Sequence, residues 1–145
     1  MIQKTVISKN DKYTEKLGEE LASSLKPSDI VLLQGDLGAG KTTFVRGVAR
    51  GLNVKSRVVS PTFVLIRSHE GKLNHESVKL NHIDLYRVVN EDEIEELGLD
   101  EVFEDFHAVT IIEWGNRTNK IRYSWEVTFE VVDDKRRQIT ITKNE

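Results

Sequence analysis

The stretch Gly35-Asp36-Leu37-Gly38-Ala39-Gly40-Lys41-Thr42 carries three glycines, an amine and a hydroxyl at the spacing G-x-x-x-x-G-K-[ST]. The apolar run Ile30–Leu33 precedes it and a helix-like segment from Thr43 to Leu52 follows. That combination suits phosphate. A helix start presents backbone N–H groups without intrahelical partners, and its macrodipole adds positive potential, so a loop wrapped ahead of it forms an anion cradle. Glycine at 38 and 40 lets the backbone approach closely and leaves open the space that phosphate oxygens need. Lys41 would reach the β- and γ-phosphates, and the Thr42 hydroxyl would ligate Mg²⁺. Asp36, Leu37, Gly38, Ala39, Gly40, Lys41, Thr42 and Thr43 are therefore the candidate nucleotide-binding set. The alternative is a glycine-rich turn capping an ordinary helix, and such a turn has no need of Lys-Thr.

Two further clusters could complete such a site. His82-Ile83-Asp84-Leu85-Tyr86-Arg87 packs an imidazole, an acid, a phenol and a guanidinium at a strand end, and Val109–Glu113 is a second apolar run ending in an acid, followed by Trp114. Ligands of open parallel sheets bind at the carboxyl ends of strands, so Asp84 and Glu113 both become candidates for Mg²⁺. Mg²⁺ keeps several waters, so one acid could bind it directly while the other acts through water or as a base. Sequence alone leaves their order open. His82 is either part of this chemistry or a hydrogen-bonded core histidine, and Arg87 either joins it or pairs with a nearby carboxylate. Trp114 either covers the site or fills core. Thr62, in Ser60-Pro61-Thr62-Phe63, is either an ordinary loop residue or a γ-phosphate sensor like those of switch loops.

The elements that must position these residues follow from periodicity and punctuation. Ile2–Ile7 reads as a strand, and Asn10-Asp11 caps a helix with Tyr13, Leu17, Leu21 and Leu25 on one face, closed by Pro27. Thr14 in that helix either meets solvent or touches the nucleotide. Ile30–Leu33 suits a central parallel strand covered on both faces. The next helix buries Phe44, Val45, Val48, Ala49 and Leu52, ends at Gly51, and leaves Arg46 and Arg50 solvated. Phe63–Ile66 reads as a strand, His69–Lys72 as a hairpin turn, and Val78–Asp84 as the strand beyond it. Asn90 and Glu93 have capping-box spacing for a helix that buries Ile94 and Leu97 and stops at Gly98. A second short helix carries Val102, Phe103 and Phe106. The acids between Glu91 and Asp105 form either a solvated face or a docking surface for a basic partner. Trp125–Val131 and Gln138–Ile141 alternate as an antiparallel pair around Asp133-Asp134-Lys135. Lys135, Arg136 and Arg137 either protect a sheet edge or grip the nucleotide.

These elements predict an α/β, three-layer, P-loop NTPase-like fold: a central, mostly parallel sheet with a C-terminal antiparallel pair. At 145 residues, without repeats or linkers, the chain is expected to form one domain, 1–145. Hydrophobic residues at 38% and charged ones at 31% describe a soluble globular protein, and a net charge of -3 argues against nucleic-acid binding through global charge. The absence of cysteine excludes disulfides, a thiolate nucleophile and cysteine-ligated metal. The opening Met1–Val6 lacks a signal-peptide core and no apolar run approaches the roughly 20 residues of a membrane span, so the expected location is cytoplasmic.

Taken in order, Gly-Asp-Leu-Gly-Ala-Gly-Lys-Thr-Thr-Phe-Val-Arg-Gly, Ser-Pro-Thr-Phe, His-Ile-Asp-Leu-Tyr-Arg and Glu-Trp-Gly closely resemble the bacterial TsaE (YjeE) family over nearly the whole chain. The resemblance implies a Mg²⁺-dependent ATPase needed for N6-threonylcarbamoyladenosine (t6A) at position 37 of tRNAs reading ANN codons. It also implies docking on a TsaB–TsaD complex, with tRNA reached only indirectly, no membrane, and the isolated chain a monomer. It assigns the phosphates to Lys41 and the loop amides, Mg²⁺ to Thr42 and Glu113, and a part in hydrolysis to Asp84. Thr62 falls in the switch-like loop, and Thr14 lies where the family approaches the nucleotide. A small-molecule kinase is the main alternative, although no arginine-bearing lid is evident. A GTPase is a second, but Asn119-Lys120-Ile121-Arg122 puts Arg122 where a base-reading carboxylate belongs. The third is an assembly factor whose nucleotide-bound state matters more than turnover.

Overall fold

The computed structural model describes residues 2–36, 38–58, 66–86, 91–96, 98–114 and 121–144, the side chains of Glu91 and Ile94 apart. In chain order these give β1 (Ile2–Ser8), α1 (Asp11–Ala22), β2 (Ile30–Gln34), α2 (Lys41–Gly51), β3 (Ile66–Leu73), β4 (Glu76–Asp84), α3 (Glu91–Glu96), α4 (Leu99–Phe103), β5 (Ala108–Glu113), β6 (Trp125–Val131) and β7 (Arg137–Lys143). The strands form one sheet in the order β1-β7-β6-β2-β5-β4-β3. Its centre is parallel, with β2 between β5 and β6 and β4 parallel to β5, while β1, β3 and β7 pair antiparallel to their neighbours.

Alternation along the central strands sorts the core into two faces. Val31 and Leu33 of β2 and Val109 and Ile111 of β5 point to the side covered by α1 and α2. Ile30 and Ile112 point to the other side, where Leu99, Val102 and Phe103 of α4 pack. Strands covered on both faces must be apolar throughout, which is why Ile30–Leu33 and Val109–Ile112 read as unbroken runs. Phe44, Val45 and Val48 of α2, and Leu52 just past its end, are fully buried, each contributing about 1.5–3 kcal/mol by removal from water. Phe44 also meets the Phe129 ring of β6 edge-on at 5.4 Å.

Asn10 caps α1 through its side chain, which accepts from the Tyr13 N–H at 2.9 Å. The buried stripe of α1 is Thr14, Leu17, Gly18, Leu21 and Ala22; the expected Leu17 and Leu21 are in it, whereas Tyr13 is exposed. A strict four-residue repeat drifts around a 3.6-residue helix, and α1 turns its smallest residue, Gly18, onto the backbone of α2 at Phe44. The helix ends at Ala22, before Pro27, and Leu25 is buried beyond it. Helix α2 begins at Lys41, two residues earlier than Thr43, which places Lys41 and Thr42 in its first turn.

Two expectations are corrected further along. His69–Lys72 lies within β3, and the hairpin turns instead at Asn74-His75, whose φ values of 52° and 68° suit a two-residue type I′ turn. Gly71 belongs in the strand because a Cβ there would stand 2.5 Å from the Leu52 carbonyl oxygen, against which the β3 backbone closes through Lys72 N–H at 2.6 Å. Phe106 lies past the end of α4 and is exposed, so it does not share the apolar face of Val102 and Phe103. The β6–β7 pair forms as expected around Asp133–Lys135 but is also joined to the main sheet, β6 parallel to β2 and β7 antiparallel to β1. The Phe63–Leu65 part of the predicted strand, Asn90 and Leu97 lie outside the described residues, as do Arg87 and Asn119-Lys120. Among the described residues no helix is long and apolar enough to cross a membrane.

Candidate active site

The loop between β2 and α2 turns the backbone so that a helix begins facing open space. Gly38 and Gly40 have φ of +81° and +99°, conformations that residues with a Cβ rarely adopt. A Cβ built on Gly38 meets nothing within 4 Å, and one on Gly40 meets only the Thr14 methyl at 3.7 Å. Gly40 is the N-cap of α2 and supplies no side-chain cap, so the first-turn amides keep their donor capacity for a ligand. The loop closes on itself through the Ala39 N–H donating to the Asp36 carbonyl oxygen at 3.1 Å.

Lys41 is the cation of this region and is only 5% exposed. Its Nζ donates to the Gly35 carbonyl oxygen at 2.6 Å, lies 4.2 Å from the centre of the Trp114 ring, and stands 3.8 Å from Oε1 of Glu113. Burial pushes the ammonium below its ordinary pKa, and the carboxylates of Glu113, Asp84 and Asp36 push back. The acids arrive on adjacent parallel strands, β4 ending at Asp84 and β5 at Glu113, which are directly paired in the sheet. Both are buried. Asp84 Oδ1 accepts the Tyr86 N–H at 2.8 Å. Burial raises the Asp84 pKa and the Glu113 charge adds to it, while the Tyr86 N–H, Lys41 and His82 pull the other way. Glu113 is held by His82, whose Nε2 lies 2.6 Å from Glu113 Oε2.

The sheet thus brings together Lys41, Asp84, Glu113, His82 and Trp114 beside the loop of Asp36, Gly38, Ala39, Gly40, Thr42 and Thr43. Thr14 is buried, its hydroxyl 2.7 Å from Ser8 Oγ and its methyl facing Gly40, so of the two alternatives the solvent-facing one is wrong. Leu37 and Thr62 lie outside the described residues. Of the basic trio, Arg136 stays in its own turn, paired with Asp133 at 2.6 Å. Arg137 reaches across to donate to the Gly38 carbonyl oxygen at 3.3 Å. Sequence reasoning missed the Ser8–Thr14 bond, a local contact between the end of β1 and α1, and the Arg137–Gly38 contact, which depends on β7 joining β2 through β6. The signal available for Trp114 was its place directly after a strand-end acid.

The donor set fits a nucleotide phosphate with Mg²⁺. The glycine side of the loop is open, the helix start is uncapped, and a buried ammonium points to the same region as two carboxylates. Among the described residues no group of three or more His, Asp or Glu side chains forms a metal cage. Mg²⁺ bound to a nucleotide needs only one or two protein oxygens, which Thr42 and Glu113 can supply.

Known proteins share this arrangement of sequence and fold. The family model described as "Threonylcarbamoyl adenosine biosynthesis protein TsaE" matches residues 8–140. The tRNA threonylcarbamoyladenosine biosynthesis protein TsaE of Aquifex aeolicus is 39% identical over 140 residues, covering 95% of each chain. The protein of the same name from Bacillus subtilis is 38% identical over 135 residues, covering 92% of this chain and 81% of its own. The crystal structure of Bacillus subtilis YdiB superposes with a TM-score of 0.77 at 30% identity, covering 98% of this chain and 86% of that one. A match of this extent, running from the first strand through the phosphate loop to the last, shows that the chain belongs to the TsaE family.

Proposed function

We propose that this protein binds ATP at the Gly35–Thr43 loop and hydrolyses it in support of t6A formation at adenosine 37 of tRNAs reading ANN codons, acting in the cytoplasm on a TsaB–TsaD complex. Membership of a family named for threonylcarbamoyl adenosine biosynthesis supports the pathway. The observation that carries the nucleotide chemistry is the buried Lys41 ammonium at the uncapped start of α2, 3.8 Å from a carboxylate that leaves it unneutralised by close contact. Phosphate would displace Lys41 from the Gly35 carbonyl, an exchange that trades a neutral acceptor for an anionic one.

In this reading Lys41 and the first-turn amides of α2 hold the terminal phosphates and stabilise charge as it moves to the leaving oxygen. Thr42 and Glu113 would hold Mg²⁺, which supplies further neutralisation of phosphate charge. Asp84 orients the attacking water: the new P–O bond forms to that water, the bond from γ-phosphorus to the bridging oxygen breaks, and the water's proton passes toward the Asp84 carboxylate. A carboxylate whose pKa burial has raised is a better proton acceptor than an ordinary one. Thr62, whose sequence position precedes β3, would sense the γ-phosphate and couple hydrolysis to the partner complex.

The test is turnover of the isolated chain and of the chain with TsaB and TsaD, alongside Lys41→Ala and Glu113→Ala. Partner-stimulated turnover in the wild type and a fall of about 10²-fold or more in either variant are expected. Undiminished turnover in Lys41→Ala would sink the assignment. Phosphorylation of a small acceptor without any partner would favour a kinase.

A further inference from the structure

We infer that His82 is a positioning residue, which grips one oxygen of Glu113 so that the carboxylate neither collapses onto Lys41 nor turns away from the nucleotide. The inference rests on the ATP reading above and adds a residue to it. Three observations meet at this side chain. His82 is fully buried, its Nε2 lies 2.6 Å from Glu113 Oε2, and its Nδ1 has no hydrogen-bond partner among the described residues. Glu113 Oε1 stops 3.8 Å from Lys41 Nζ, although both groups are buried and oppositely charged. Lys41 donates to the Gly35 carbonyl instead.

A buried ammonium and carboxylate free to approach would close to about 2.8 Å and neutralise each other. Such a pair would hold Lys41 away from phosphate and Glu113 away from Mg²⁺. The imidazole prevents closure by competing for the carboxylate. An ionised carboxylate can only accept, so His82 donates from Nε2. The buried Nδ1 finds no partner among the described residues, a cost that an apolar side chain at this position would avoid. A role in packing alone does not account for paying it.

The geometry of the sheet makes the grip specific. His82 lies two residues before Asp84 on β4, on the same face, and Asp84 pairs directly with Glu113 on β5. The imidazole therefore reaches Glu113 from behind, on the side remote from the strand ends where the nucleotide would lie. Oε1 is left as the oxygen nearer Lys41 and the loop. Partners that orient ligating groups in this way are worth about 10–100-fold in metal affinity.

The test uses the full chain and two titrations: ATP binding in the presence of EDTA, and Mg²⁺ titrated into the ATP-loaded protein. The variants are His82→Leu, His82→Asn and His82→Gln. Glutamine places an amide N–H close to the position of Nε2, whereas asparagine is too short to reach Glu113. The expected result is a weakened ATP affinity in EDTA and a Mg²⁺ midpoint raised about 10–100-fold in His82→Leu and His82→Asn, with recovery of both in His82→Gln. Should His82→Leu fail to fold, the Asn and Gln pair still decides. A Mg²⁺ midpoint unmoved in His82→Asn, or equally shifted in His82→Asn and His82→Gln, overturns the inference while leaving the ATP reading intact. Failure of the wild type to bind ATP removes that reading, and the inference with it.

Discussion

Lys41 and Asp84, at the centre of this protein, are held where burial disfavours their charged forms, and that has measurable consequences. Asp84 is the clearest case. Burial raises its pKa above the ordinary 3.8, so the folded state binds the proton more tightly than the unfolded state. Above the raised folded pKa the ionised carboxylate is a full penalty on stability, and as pH falls through that value toward 3.8 the penalty is relieved. Asp84→Asn keeps an Oδ1 acceptor for the Tyr86 N–H while removing the charge. It is expected to raise Tm at neutral pH, to flatten the dependence of Tm on pH between neutral and mildly acid solution, and to lower turnover by about 10²-fold or more. Thermal melts at two pH values beside a turnover assay check all three, and a lower Tm in the variant at neutral pH would contradict the burial argument. Much of this site was legible in the residues. Lys41, Thr42, Asp84 and Glu113 could be found from a loop motif and from acids ending apolar runs, because a parallel sheet puts its ligands at one end. The His82–Glu113 bond and the Lys41–Trp114 contact were not legible, since pattern names a residue but not the neighbour its side chain meets.

At the scale of elements, the loop's orientation depends on how closely α1 and α2 approach. Gly47 of α2 lies against the backbone of Glu15 on α1, and Gly18 of α1 against that of Phe44 and Val48 on α2. A Cβ at either position would overlap main-chain atoms that cannot swing aside. Gly47→Ala should therefore force the helices apart despite alanine's better helix propensity, costing about 1–3 kcal/mol as overpacking does. Chemical denaturation of the variant measures this, and unchanged or increased stability would show that the helices do not meet this closely. Sequence periodicity found both helices and the buried Leu17, Leu21 and Leu25, but not the close approach at Gly18, because nothing in the pattern announces a glycine-mediated contact. The same blindness placed the hairpin turn at His69–Lys72. Gly71 looked like a turn residue and was instead the point where β3 meets Leu52, while Asn74-His75 made the turn with both residues at positive φ.

Across the whole molecule, the parallel centre β6-β2-β5-β4 sets both acids and the phosphate loop at one end of the sheet, and the N-terminal strand is stitched to the C-terminal one through β1–β7. The alternation of elements made the central sheet legible. The pairing of β1 with β7 was not, since two amphipathic strands at opposite ends of a chain carry no mark of their partner. The neighbouring β6–β7 pairing matters for the site, because with β6 beside β2 it brings Arg137 to the Gly38 carbonyl. Family membership connects the molecule to threonylcarbamoyl adenosine biosynthesis, and the proposed function joins that role to the site through ATP at Lys41. Calorimetric titration of ATP into the wild type and into Lys41→Ala, both with Mg²⁺, tests it directly. The account predicts saturable one-site binding to the wild type and a loss of about 10²-fold or more in the variant. Equal affinity in the two proteins would contradict it.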